Sequence, residues 1–419
     1  MNQTLRFPIQ RHVAAIGIAA ALAGCGGSDD KPAAEVTEWN RLAADLLAGD
    51  QLPPVQARSM AIVQIAVHDA LNAIEPRYSP YRFAGSAPGA SFAAAVASAS
   101  RAALVQLLPS AAPTIESAYA NKLASLPPGS ARDAGIAAGE AAAAAILSSR
   151  GGDNLNAAIN KPYTPSAPAP GIYQPTPPLN FVIGGGTGEL VPFALTGDGS
   201  HRSPAPFATH TAAYANDYQE VKALGSAAAT ARTSEQTETA RFWYDAAIKE
   251  WHAAARKGLA DNAANEWEAA RTLALVGMAM FDVTVASLET KFHFDYWRPI
   301  TAIRSGDNDA NDLTQGDSAW EPLCLTPPFP EHNSTHAATG AAAAGVLSRL
   351  LGDRHTFTVE SKTLPGVNRS YERFSAAAAE EGISRIYCGI HFRNAIDTGL
   401  AQGDAVAAQV VNALPRAGS

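Results

Sequence analysis

Residues 263–290 read AANEWEAARTLALVGMAMFDVTVASLET, and this longest of several Ala-rich stretches decides the fold class. Ala, Leu, Glu and Met are strong helix formers, so the stretch predicts a long helix. Comparable helix-favouring segments are residues 38–48, 55–74, 90–107, 131–148, 237–257, 336–351, 374–385 and 394–414. Alternation typical of β-strands is scarce. We therefore predict an all-α helical bundle.

The composition sets limits on the function. The chain has 419 residues, of which 17% are charged and 47% hydrophobic, enough for a large core. Its formal net charge of −8 lacks the basic excess expected of a nucleic-acid binder. Any site for an anion must therefore be built locally, and we expect no nucleic-acid partner.

A region rich in Pro, Gly, Thr and Asn, residues 151–206, interrupts the helical segments. Its prolines exclude one continuous helix. We interpret it as a connector between an N-terminal helical half, residues 37–150, and a catalytic half, residues 207–419. The two halves are expected to pack as one domain over residues 37–419.

The first 25 residues have the pattern of an export signal, in which Arg6 and Arg11 precede an apolar run. The run ends in Leu-Ala-Gly-Cys25, which resembles the lipobox of bacterial lipoproteins. This predicts a lipid anchor on Cys25, a flexible tether over residues 26–36, and an exported protein on the periplasmic side. Gly26, directly after the cysteine, favours the outer membrane. The alternative is a plain secretory signal.

Two cysteines remain once Cys25 is set aside. Cys324 and Cys388 form an even pair in a chain that is predicted to enter an oxidising compartment. Either a disulfide between them or two buried thiols fits the sequence.

Three clusters of polar residues in the last third of the chain contain the groups suited to chemistry. The first reads KFHFDYWRP over residues 291–299. Arg298 follows Lys291 by seven positions, which places both cations on one face of a helix that Pro299 would end. The alternative is a cationic helix C-terminus that the macrodipole favours.

The second cluster, PPFPEHNSTH over residues 327–336, leads into a helix rich in Ala and Gly. A helix start presents free N–H groups to an anion. Ser334 is expected to cap the helix or to hydrogen-bond an oxyanion. His336 is a candidate for proton transfer, whereas His332 alone is more typical of a surface or supporting residue.

The third cluster reads SRIYCGIHF over residues 384–392. On a continuous helix Arg385 and His391 would point about 120° apart. Gly389 gives the backbone the freedom to bring them together. Two Arg, one Lys, one hydroxyl and two His suit a tetrahedral or trigonal-bipyramidal oxyanion, and their spacing matches no zinc motif.

The order Lys-x6-Arg-Pro, Ser-x-His and Ser-Arg-x3-Gly-x-His resembles the signature shared by vanadium-dependent haloperoxidases and type-2 phosphatidic acid phosphatases. The surrounding residues are similar to bacterial haloperoxidases, which implies a helical bundle of the vanadium chloroperoxidase type and vanadate as cofactor. The resemblance implies that His391 is the axial vanadium ligand and that His336 is the acid–base residue. The oxyanion is held by Lys291, Arg298, Ser334, Thr335 and Arg385.

One position departs from the family pattern, because Thr335 replaces the usual glycine whose N–H contacts the oxyanion. Thr335 provides the same N–H only if its backbone conformation is compatible with a Cβ atom. Phe329, with neighbouring aromatics, is expected either to form an apolar wall beside the halide or simply to pack in the core.

The resemblance implies that the partners are hydrogen peroxide, a halide and a small organic substrate, with membrane contact only through Cys25. A second hypothesis is an acid phosphatase in which His391 attacks phosphorus and His336 protonates the leaving alcohol. A third is a non-catalytic lipoprotein that binds an oxyanion. The long N-terminal half and the Trp297-Arg298-Pro299 sequence favour the haloperoxidase.

Overall fold

The predicted all-α class is confirmed by a computed structural model, which describes residues 33–418. The export signal, Cys25 and most of the predicted tether lie outside the described residues. The helices are α1 (Ala34–Asp50), α2 (Pro53–Ile74), α3 (Phe92–Leu107), α4 (Ala112–Ser125), α5 (Ser130–Ser149), α6 (Leu155–Ile159), α7 (Ala212–Gly225), α8 (Ser234–Phe242), α9 (Ile248–Asp261), α10 (Glu266–Phe294), α11 (Pro299–Arg304), α12 (Thr335–Leu351), α13 (Phe374–Tyr387) and α14 (Arg393–Val410).

The helix α10 lies at the centre of the bundle. It packs against α2 from the N-terminal half and against α12 from the C-terminal half. Gly277 permits the contact with α2, because a Cβ atom there would lie 2.9 Å from the Cα of Ala61. By length and composition α10 could cross a membrane, but 89% of its apolar window is buried inside the fold. It is therefore placed as a core helix.

Two local predictions were wrong. The single helix predicted over residues 237–257 is divided into α8 and α9, and the intervening residues present backbone carbonyls to the interior. A β-hairpin was also missed, in which β1 (Phe357–Glu360) pairs antiparallel with β2 (Asn368–Tyr371). Its alternation spans only four residues per strand, too short to be recognised in the sequence.

The connector predicted over residues 151–206 is largely irregular and lies against α10. Asp282 on α10 is fully buried, and its carboxylate accepts the backbone N–H groups of Phe193, Ala194 and Leu195 at 2.6 to 3.1 Å. A buried carboxylate satisfied by backbone donors fixes the loop to the core. The connector is thereby held against α10. The division of the chain into two halves stays a prediction.

Candidate functional site

Lys291 and Arg298 come from two different helices, contrary to the prediction of one continuous face. The helix α10 ends at Phe294, and Asp295 adopts a left-handed conformation with φ of 49°. Arg298 is the N-cap of α11, and Pro299 begins that helix instead of ending the previous one. Proline is favoured at this first helical position, because its fixed φ suits a helix and its missing N–H would have no intrahelical partner there.

The turn between the two helices nevertheless brings both cations over one aromatic ring. The Lys291 Nζ lies 5.3 Å from the centroid of Phe329, and the Arg298 Cζ lies 5.1 Å from it. Both side chains are fully buried. The Lys291 ammonium donates to the carbonyls of Glu331, at 2.9 Å, and of Asn333. Arg298 donates from Nε to the Phe329 carbonyl at 2.9 Å.

Ser334, Thr335 and His336 form the beginning of α12. Ser334 is the N-cap, and its hydroxyl accepts the N–H of Ala337. Thr335 is the first helical residue and is not among the residues with positive φ. Its backbone conformation therefore accommodates a Cβ atom. Its N–H belongs to the first turn, where helices leave donors without intrahelical partners.

The end of α13 turns His391 toward Arg298. Gly389 has φ of 78°, and the N–H groups of Gly389 and Ile390 donate to the carbonyls of Ile386 and Arg385, as in a Schellman motif. A Cβ atom at position 389 would lie 2.3 Å from the carbonyl oxygen of Gly225. The position therefore requires glycine for both conformation and space.

After this turn, the His391 imidazole lies between a cation and a carboxylate. Its Nε2 lies 3.3 Å from Arg298 Nη1, which donates to it. Its Nδ1 donates to Glu331 Oε1 at 2.8 Å, and the same oxygen accepts the N–H of Phe392. Glu331 was not predicted as a site residue, although an acidic residue within the Pro-rich PPFPEH sequence was the available signal.

Residues 243–245, in the break between α8 and α9, hold the remaining two predicted groups. Arg385 donates from Nη2 to the carbonyl of Trp243 at 2.5 Å and from Nη1 to that of Tyr244 at 3.3 Å. The His336 Nε2 donates to the Asp245 carbonyl at 3.2 Å. These carbonyls are available because the chain is not helical here. The prediction of one helix across 237–257 concealed this role.

The electrostatics of the cluster favour an anion. Burial lowers the pKa of Arg298 and of Arg385 to about 10, so both stay charged at neutral pH. Burial and then Arg298 lower the pKa of Lys291 well below its usual value. Within residues 33–418, Arg298 Nη2 is buried without a hydrogen-bond partner. An unpaired buried guanidinium nitrogen is unfavourable unless a ligand satisfies it.

The buried carboxyl groups do not fully offset this charge. Burial raises the pKa of Glu331 to about 7, against the opposing effect of Lys291 and Arg298. Burial and the nearby cations Arg298 and Lys291 lower the pKa of His391 well below its usual value, so the imidazole is neutral. The cluster is thus a dry cationic region with a neutral imidazole nitrogen.

A disulfide joins Cys324 to Cys388, with the Cα atoms 4.9 Å apart, and it resolves the two alternatives that the sequence left open. Cys388 is the C-cap of α13, directly before Gly389. The bond therefore fixes the turn that orients His391. His332, by contrast, is buried away from the surface and donates from Nε2 to the Pro204 carbonyl at 2.8 Å.

Comparisons with known proteins identify a related family and fold. Residues 271–417 match the family described as the VCPO second helical-bundle domain. Over 178 residues, 32% of this chain, the sequence is 29% identical to vanadium chloroperoxidase from Curvularia inaequalis. The matched region spans 29% of that relative's length.

Solved structures share the fold over nearly the whole chain. The crystal structure of the first bacterial vanadium-dependent iodoperoxidase superposes with a TM-score of 0.76 at 24% identity, covering 92% of this chain and 97% of that one. A holo-type bacterial vanadium-dependent chloroperoxidase gives a TM-score of 0.70 at 16% identity, covering 87% and 94%. At these identities the structural likeness shows the fold alone.

Proposed function

This chain belongs to the vanadium haloperoxidase family, and from that premise we propose that it is a vanadate-dependent haloperoxidase. It would oxidise halide with hydrogen peroxide to a hypohalous-acid equivalent. One observation carries the proposal: Arg298 Nη2, buried without a partner in the described chain, belongs to the same guanidinium that donates to His391 Nε2. A group that bonds His391 Nε2 in place of Arg298 Nη1 and accepts from Nη2 would give the unpaired nitrogen its partner, while Nη1 keeps the Ile390 carbonyl.

Vanadate fits the residues present. His391 offers one neutral nitrogen to the metal, and its Nδ1–H is held by a carboxylate, as is common for metal-bound histidines. Lys291, Arg298 and Arg385 would neutralise the oxygens, with Ser334 Oγ and the Thr335 N–H as further donors. When bound, vanadate supplies a Lewis acid that activates peroxide toward halide.

Glu331 has the role of fixing the His391 tautomer. Because its Oε1 accepts both the Nδ1–H and the Phe392 N–H, the ring is held in one orientation with the Nε2 lone pair directed at the cationic cluster. Burial of the pair keeps water from competing. The His391 ring thus needs no rotation before binding a ligand, which would replace Arg298 Nη1 at Nε2.

His336 is suited to moving protons. A carbonyl only accepts hydrogen bonds, so the contact with Asp245 places the proton of the neutral ring on Nε2. The lone pair is then on Nδ1. Burial and then Arg385 lower the pKa of His336 well below its usual value, so the ring is a neutral base. With vanadate and peroxide bound, Nδ1 would be the His336 atom that accepts and returns a proton.

Lys291 and the two arginines would stabilise negative charge as it develops. All three are fixed by backbone carbonyls before any ligand arrives, in a region from which water is excluded. Preorganised charge in such surroundings is more effective than in water. The same arrangement would also hold phosphate, with His391 Nε2 as nucleophile, so phosphatase activity is the competing function.

One parallel assay separates the alternatives. Metal-free protein is given vanadate, peroxide and chloride, bromide or iodide with a phenolic dye, beside p-nitrophenyl phosphate without vanadate. We expect halogenation that requires added vanadate. Phosphate release without halogenation would instead establish the phosphatase, and neither activity would leave only an oxyanion-binding protein.

A further inference from the structure

An apolar cavity of about 130 Å³ adjoins the cationic cluster. Phe329 and His336 belong to both, since they line the cavity while Phe329 also contacts Lys291 and Arg298. A dry apolar cavity of roughly 150 Å³ is known to hold benzene. The space beside His336 therefore accommodates a single aromatic ring.

The cavity wall is apolar even where its residues carry hydroxyl groups. Thr284 donates its Oγ1–H to the Met280 carbonyl at 2.7 Å, and Thr339 donates to the Thr335 carbonyl at the same distance. These hydroxyls are occupied within their own helices. At the outer end Leu52, 48% exposed, offers an apolar rim. An apolar molecule thus meets little polar surface on entering.

Two polar groups in the wall are not occupied in this way. Thr187 is 1% exposed, and its hydroxyl has no hydrogen-bond partner in the part of the chain that the structure describes. Glu381 accepts the Trp251 Nε1–H on Oε2 at 2.8 Å. Gly340 leaves the space for this carboxyl, because a Cβ atom there would lie 2.3 Å from Oε2.

Burial raises the pKa of Glu381 to about 8, with Trp251 and Arg385 opposing the shift. At neutral pH the group is then largely a carboxylic acid, which both donates and accepts hydrogen bonds. Thr187 and Glu381 thus place two polar side chains in the lining of an otherwise apolar cavity. Such a combination selects a ligand that is mostly hydrocarbon and carries one hydroxyl group.

We propose that this cavity binds a small phenol and that halogenation takes place on the bound ring. The inference rests on the proposed function and names its organic substrate class. In the overall step a ring C–H bond is replaced by a C–X bond. The halide loses two electrons to hydrogen peroxide, whose O–O bond breaks. The ring proton and one proton from solvent join the two OH groups of the peroxide, which gives two water molecules.

Binding is tested first, without vanadate, peroxide or halide. Calorimetric titration with p-cresol is compared with cyclohexane and with a phenol bearing two tert-butyl groups. We expect p-cresol to bind and the bulky phenol not to bind. Ala246→Leu and Ile159→Phe, which add volume at two separate parts of the wall, should each weaken p-cresol at least about tenfold.

The matched control is Ala376→Leu on α13, an exposed position that does not line the cavity. It should bind p-cresol as the wild type does. Thermal melts identify any variant that fails to fold, and two wall positions keep the test decisive. Unchanged binding in both folded wall variants, no binding by the wild type, or equal binding of cyclohexane and p-cresol would overturn the proposal.

The product pattern gives the second test. With the vanadate-loaded enzyme and bromide, the ratio of ring positions brominated in m-cresol should differ from that given by hypobromous acid in buffer. Ala246→Leu should return it to the buffer ratio, whereas Ala376→Leu should not. A wild-type ratio equal to that of buffer overturns the proposal, whereas loss of all halogenation with retained cresol binding would contradict the proposed function alone.

Discussion

The cationic cluster and the apolar cavity meet at Phe329 and His336 but are built on opposite principles. In the cluster, charged side chains are fixed by backbone carbonyls, and one guanidinium nitrogen has no hydrogen-bond partner among residues 33–418. In the cavity, hydroxyls turn into their own helices and leave hydrocarbon exposed. The contrast teaches that one wall can separate a region suited to an oxyanion from one suited to an organic ring.

The largest expected effect separates the two regions. His391→Ala should reduce halogenation on the order of 1,000-fold or more, because it removes the nitrogen proposed to bond vanadium. Binding of p-cresol should be unchanged, since His391 does not line the cavity. Steady-state halogenation rates and calorimetric titration with p-cresol, on the same preparation, check these two expectations. Retained activity would show that the cluster is misassigned.

Removing the disulfide should act on stability. Cys324→Ser with Cys388→Ser opens a loop with a sequence separation of 64 residues. The unfolded chain gains entropy, so the free energy of unfolding should fall by about 4 kcal/mol. Urea denaturation measures the change, with the oxidised wild type as reference. The apolar cavity should still bind p-cresol in the folded double variant, and an unaltered urea midpoint would contradict this account.

Glu331→Gln should weaken vanadate binding without abolishing it. The amide still accepts the Nδ1–H of His391 but lacks the charge that supports its basicity, so vanadate affinity should fall about 10- to 100-fold. Titration followed by vanadium NMR measures this affinity. Glu372→Gln, at an exposed position, is the control and should match the wild type. Equal affinities in the two variants would remove Glu331 from the site.

The smallest effect concerns the cavity side and depends on pH. Glu381 has a pKa raised to about 8 by burial among Trp251, Arg385 and Glu250, whose own pKa is raised to about 7. A raised pKa means that the folded state binds the proton more tightly. The stabilising contribution is therefore complete below the unfolded value near 4.5 and is lost as pH rises through 8.

Melting temperatures of the wild type should accordingly fall between about pH 5 and pH 8, and those of Glu381→Gln should fall less. Glu372→Gln should follow the wild type, since its side chain is exposed. A steeper decline in Glu381→Gln than in the wild type would reverse the assigned direction of the pKa shift.

The sequence predicted the cluster better than the cavity, for a physical reason. Lys291, Arg298, Ser334, Arg385 and His391 have side chains whose chemistry is visible in a motif. The path of the chain was harder to predict. The helix α10 ends at Phe294 because Asp295 adopts a left-handed conformation, which the periodicity of the sequence does not reveal. Helix spacing predicted that Lys291 and Arg298 lie on one face of a single helix. In the structure a turn and a second helix bring the two side chains together.

The residues that support the site were not predictable from local pattern. Glu331 acts through a contact with His391, 60 positions away. The carbonyls that hold Arg385 are available only because α8 and α9 are separate. The cavity wall combines residues from the connector, α10 and α12. Such juxtapositions arise from tertiary packing, which a single sequence does not encode in neighbouring positions.

The most direct test of the cationic cluster is diffraction at the vanadium absorption edge from crystals soaked in vanadate. We predict one anomalous peak at bonding distance from His391 Nε2, with Lys291, Arg298 and Arg385 around it. A fully ordered structure with no peak there, or with vanadate bound only at the protein surface, would contradict it.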